Sequence, residues 1–298
     1  MMLRRLGVSA MATVGMIALS GIYSPVQGAN FFGEDLQHFK GNTVTDAPDL
    51  ATLKNSAAAE QQFLNALYGG YATVNFEAEE GFTRLGKTGS AFSYSLKLNK
   101  TDGSVFDLTI SDPNSNSSAL HTSIEDTKGD VTGGRYGISE AGLTKEQRLS
   151  NQFLNTNAGK DSNLTFAFSE ATSAFGFYGT DFERGGVMGV EFTRLDGSKK
   201  YISLGLSDPK NFTNTIRGTA FYFGYIADSE SDYFTKVRFD VSDTKRGTND
   251  MVAFDRMTFA SPTLKRDEAQ DIPEPTMGIL AVGAVLSGAA MKRRQQAV

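Results

Sequence analysis

Phe92-Ser93-Tyr94-Ser95-Leu96-Lys97-Leu98, a polar stretch from Asn99 to Ser104, then Phe106, Leu108 and Ile110 separated by Asp107 and Thr109: this passage decides the fold class. Apolar residues recur at every second position on both sides of a turn, the period of a strand with one buried face, so the passage predicts a β-hairpin. The same period returns in Leu164, Phe166 and Phe168, and in Val190 and Phe192 before the turn Asp196-Gly197. It continues in Ile202, Leu204 and Leu206, and in Val237, Phe239 and Val241. At least eight strands without a long helix among them imply two antiparallel sheets packed face to face, an all-β sandwich or jelly roll, because each sheet has an apolar face to cover.

Upstream, the pattern is different. After a polar segment to Thr45, Asp46 and Pro48 are placed to start a helix, Leu50, Leu53, Phe63, Leu64 and Leu67 supply an apolar side, and Gly69-Gly70 stop it. Residues 30–70 are therefore read as a helical lead-in, and 71–262 as the sandwich. Ser111 to Ser118 and Ser123 to Gly134 read as surface loops. Lys265, Arg266, Asp267 and Glu268 mark a solvated linker over 263–272.

The chain of 298 residues has no cysteine, which removes disulfides and thiolate chemistry. A net charge of −5 argues against nucleic acid as a partner. Residues 1–29 have the form of a secretory signal: Arg4 and Arg5, an apolar run from Val8 to Ile22, then small residues, with cleavage expected after Gly28 or Ala29. Roughly 240 residues remain between the targeting ends, enough for one large β domain.

The far end has three parts in order: Ile272-Pro273-Glu274-Pro275-Thr276, the apolar run Met277 to Met291, and the basic cluster Lys292, Arg293, Arg294. The run is 15 residues long, so as a helix it spans about 22 Å against a ~30 Å hydrocarbon core. Its Gly and Ala content suits close packing by another membrane protein, and the basic cluster would hold that end in the cytoplasm. Residues 273–298 resemble a PEP-CTERM sorting tail with a C-terminal transmembrane helix. The resemblance implies an exosortase-type membrane protease as partner, membrane contact during sorting only, and delivery of the body to the cell surface or extracellular matrix. Asn75-Phe76-Glu77, Gly134-Arg135-Tyr136-Gly137, Ala174-Phe175-Gly176-Phe177, Phe221-Tyr222-Phe223-Gly224-Tyr225 and Val252-Ala253-Phe254-Asp255 resemble the sandwich domain that often precedes such tails. That likeness implies fold and address, and no catalytic residues.

His38 and His121 are the only histidines, too few for a histidine metal centre or a Ser-His-acid triad. Glu77, Glu170, Asp181, Glu183, Glu191 and Asp255 lie on or beside strands and supply the acids a glycoside hydrolase needs, though spacing does not pair them. Calcium is the better-suited metal, since hard oxygen ligands are plentiful and an exported protein meets the ion at levels that weak sites use. By analogy with jelly-roll modules whose first and last strands share an ion, Glu77 and Asp255 are the expected ligands of a structural calcium. Asp228, Glu230 and Asp232 form a second candidate. The expected function is a non-catalytic surface or matrix protein that binds extracellular polysaccharide, and the alternative is a secreted hydrolase acting on the same material. The chain has no Trp, so stacking on sugars would fall to Tyr136, Tyr178, Tyr222 and Tyr225.

Overall fold

The computed structural model describes residues 29–35, 48–67, 69–82, 91–113, 122–127, 135–157, 164–181, 186–204, 219–243 and 251–262. Among these described residues, thirteen strands form two sheets. The seven-stranded sheet contains β1 (Ala29–Asp35), β2 (Tyr71–Val74), β5 (Ser123–Asp126), β6 (Gln152–Asn157), β8 (Ala174–Thr180), β11 (Ala220–Ile226) and β13 (Met251–Ala260), in the order β1-β11-β8-β13-β6-β5 with β2 also on β13. The six-stranded sheet runs β10-β9-β12-β7-β4-β3, built from β3 (Phe92–Asn99), β4 (Val105–Asp112), β7 (Thr165–Thr172), β9 (Gly186–Arg194), β10 (Lys199–Leu204) and β12 (Phe234–Asp243). All named pairings are antiparallel. The hairpin expected from Phe92 to Ile110 is β3-β4, and the Asp196-Gly197 turn joins β9 to β10, Gly197 taking the left-handed conformation that such a turn requires (φ 83°).

Between the sheets lies a core dominated by phenylalanine. Phe239 stacks on Phe254 at 4.3 Å, and Phe177 meets Phe239 edge-on at 4.8 Å, so the two sheets are joined ring to ring.

A second apolar layer covers the outer face of the seven-stranded sheet. Helix α1 (Lys54–Ala66) sets Phe63 against Tyr222 and over Gly176 and Gly224, where an added Cβ would collide with the ring. With helix on one side and core on the other, β8 is buried at every position, which is why Ala-Phe-Gly-Phe-Tyr-Gly-Thr shows no alternation. Leu53 offers no side-chain cap to α1; the carboxylate of Asp35 on β1 accepts the amides of Asn55 (3.1 Å) and Ser56 (2.8 Å) instead.

Three expectations are corrected. The lead-in is not purely helical, because its first residues form β1, an edge strand paired with β11 over seven residues; its neighbours in space, not its own pattern, define it. The helix begins at Lys54 rather than Asp46, with Asp49 in a preceding turn. Ser123–Asp126, read as loop, is β5, and its polar residues are buried in hydrogen bonds. A short helix α2 (Lys145–Ser150), opened by a Thr144-Gln147 capping box, was not expected.

The chain enters and leaves the sandwich at one end. Ala29 pairs with Ile226, Ile226 with Ala174, and Ala174 with Ala260, which also faces Tyr71, so first and last strands open on a single row. Among the described residues no helix is long and apolar enough to cross a membrane. The signal segment, the sorting tail with Pro273, Glu274, Pro275, Lys292, Arg293 and Arg294, and His38, His121 and Glu183 lie outside the described residues.

Candidate functional site

Whereas α1 covers the seven-stranded sheet, the outward residues of the six-stranded sheet whose burial is described are exposed or half-buried, apart from Gly189. Strand register places them in rows. One row runs Tyr201, Glu191, Arg238, Thr165, Ser111, Ser93 across all six strands. The next runs Lys199, Thr193, Lys236, Ala167, Thr109, Ser95. At ~4.8 Å per strand each row is about 24 Å long. The surface is a strip of hydroxyls and charges, with an aromatic at one end.

That aromatic is Tyr201, 48% exposed, whose ring lies on the sheet over Gly189, where any Cβ would displace it. Partial burial pushes its hydroxyl above the usual tyrosine range, and so does Asp240, which accepts its hydrogen bond. Beside it Glu191 accepts from Lys199 (2.9 Å) and Arg238 (3.3 Å). Burial would raise its carboxyl, but the two cations hold it below the usual range. Tyr136, Tyr178, Tyr222 and Tyr225, proposed from sequence as stacking platforms, are all fully buried and present no face to a sugar. Tyr201 was missed, yet its signal was readable: with Ile202 and Leu204 pointing inward, residue 201 must point out.

Glu77 and Asp255 are brought to adjacent residues. On one edge of β13, β6 pairs with its first half and β2 with its second, and Asp255 sits where the two meet. There β13 bulges between Asp255 and Thr258, with Arg256 in the left-handed region (φ 46°). The bulge throws the Arg256 side chain onto α1, where it pairs with the buried Glu60 (3.1 Å), and onto Glu140. Asp255, 1% exposed, accepts from the amides of Ile138 (2.6 Å) and Arg256 (2.7 Å) and from Asn151 Nδ2 (3.2 Å). Glu77 accepts the amide of Gln152 (3.0 Å). Burial raises Glu77 to about 7, with Glu79 and Glu80 adding to it. Burial also raises Asp255 well above the carboxylate range, against two amide bonds and with a contribution from Glu77.

Two further oxygens here, Asn75 Oδ1 and Gln152 Oε1, are buried and find no hydrogen-bond partner. Oxygen is the ligand type that a hard cation such as calcium takes, and these four side chains offer it. No three acidic, His or Cys side chains cluster for a metal among the described residues. The second candidate is corrected: Asp232 is held by Arg194 (2.7 Å) and Lys200 (3.5 Å), and Glu230 is exposed, so the three carboxylates do not converge.

Glu170 and Asp181 are ion-paired. Glu170 bonds Lys100 and Ser261, each at 2.6 Å; burial would raise its carboxyl, but these partners hold it low. Asp181 faces Arg135 at 3.8 Å.

Neither a protein-family model nor a curated protein matches the chain. Among solved structures, the chain is similar to TmCBM61 in complex with β-1,4-galactotriose (10% identity, 52% of this chain and 88% of that one, TM-score 0.23). It is also similar to a family 11 carbohydrate-binding module from Clostridium thermocellum in complex with a β-1,3-1,4-mixed-linked tetrasaccharide (9% identity, 65% of this chain and 98% of that one, TM-score 0.21).

Proposed function

We propose that this is an exported, non-catalytic surface or matrix protein that binds extracellular polysaccharide on the open face of its six-stranded sheet, and that its PEP-CTERM tail directs it there through an exosortase. The observation that carries the binding reading is the pair of polar rows, one of them ending at Tyr201. A polysaccharide needs an extended surface with hydroxyl-binding groups and an aromatic plane, and these rows supply both. Against hydrolysis stands the state of the acids: Glu170 and Glu191 are locked to cations, and Asp255, with its raised carboxyl, is sealed inside the protein. The sorting reading rests on the tail sequence. Calcium at Glu77 and Asp255 is part of the proposal, as a structural ion tying β2, β6 and β13 together.

Affinity electrophoresis against a panel of bacterial exopolysaccharides tests the binding face. Tyr201→Ala should weaken retardation about fivefold, the worth of roughly 1 kcal/mol of stacking, with thermal unfolding unchanged. Equal retardation of variant and parent would remove the face from consideration.

A further inference from the structure

At the chain-entry end of the sandwich, Arg194, Asp196, Asp228, Ser229, Ser231 and Asp232 line a recess of about 320 Å³. Its two walls are the β9-β10 turn and the loop after β11. Main chain ties them, Leu195 N donating to Tyr233 O (3.2 Å), and so does the Arg194-Asp232 pair (2.7 Å). The recess is therefore built before anything enters it.

Its lining mixes both kinds of hydrogen-bonding group. Asp228 and Asp196, whose carboxylate accepts the Ser198 amide (2.8 Å), line it with carboxylates, and Ser229 and Ser231, bonded to each other at 2.9 Å, with hydroxyls. Arg194 bonds Ser198 and Asp232 through its terminal nitrogens, while its Nε is buried and finds no hydrogen-bond partner. Closely spaced acceptors and donors match the vicinal hydroxyls of a sugar. The carboxylates exceed the cations, which disfavours a uronate or sulfated sugar. The volume is at the low end for small-molecule pockets, suiting one unit rather than a chain.

Resting on the polysaccharide reading, we propose that this recess is a second carbohydrate subsite, taking a single neutral sugar unit such as the end of a glycan chain.

Saturation-transfer NMR on the full chain, kept in a detergent without a sugar headgroup, tests it with the methyl glycosides of glucose, galactose, mannose and N-acetylglucosamine, and with methyl glucuronide as the charged control. At least one neutral glycoside is expected to bind, the glucuronide not. Asp228→Asn and Ser231→Ala should each weaken that binding tenfold or more, and Tyr201→Ala should leave it unchanged. Binding by none of the four, binding of the glucuronide instead, insensitivity to both recess variants, or a response to calcium alone overturns the subsite. Loss of polymer retardation in Tyr201→Ala with no monosaccharide binding would retain the sheet face and reject the recess, so the two readings fail separately.

Discussion

Glu77 is the residue at which charge, protons and the proposed calcium ion would meet. Its folded carboxyl is raised to about 7 from an unfolded value near 4.5, so its favourable contribution is full below about 4.5 and is lost as pH rises through about 7. Glu77→Gln keeps an acceptor for the Gln152 amide and removes the charge. In EGTA the variant should unfold at a higher temperature than the parent at pH 8 and at the same temperature at pH 4.5. In millimolar calcium the parent should gain stability at pH 8 and its gap to the variant should narrow, since an ion at one hundred times its dissociation constant stabilises the parent by about 2.7 kcal/mol. Thermal melts followed by circular dichroism decide this. No calcium-dependent shift in the parent would eliminate the ion, and an unchanged order in EGTA would eliminate the charge effect.

Helix α1 owes its place to two glycines more than to its own sequence. Phe63 fills the trough over Gly176 and Gly224, so Phe63→Ala should cost about 3–5 kcal/mol. Gly224→Ala, whose Cβ would fall 2.5 Å from the Phe63 ring, should cost roughly 1–3 kcal/mol alone and little in the Phe63→Ala background. Urea melts of the four members of this cycle measure the coupling, and additive costs would show that the helix does not dock through this ring. The sheets were legible wherever one face of a strand stays wet: β3, β4 and β10 alternate and were found. By contrast β1 belongs to an edge, β5 hides polar side chains in hydrogen bonds, and neither makes an alternating run. Tyr201 could be read because Ile202 and Leu204 fix its direction, whereas the buried tyrosines misled because β8 and β11 are covered on both sides. That Glu77 and Asp255 bond the neighbouring residues Gln152 and Asn151, and that donors from segments 117 and 104 residues distant reach Asp255, lies beyond any local pattern.

For the whole molecule, intact-mass analysis of protein from its native host should find both targeting ends gone, with a start near Ala29 or Asn30 and a finish close to Glu274. Secreted protein that still carries Lys292 to Val298 would refute that processing. The placement of the two exits gives the sandwich an orientation. Ala29 and Ala260 are three strands apart on one row, roughly 14 Å at ~4.8 Å per strand. On the proposed sorting route, anchors at both ends would tether the same end of the sandwich, and the strands would rise from the bilayer like fence posts. The rows on the open sheet would then run level with the cell surface, and a glycan captured along one of them would be laid parallel to the membrane rather than pointed away from it.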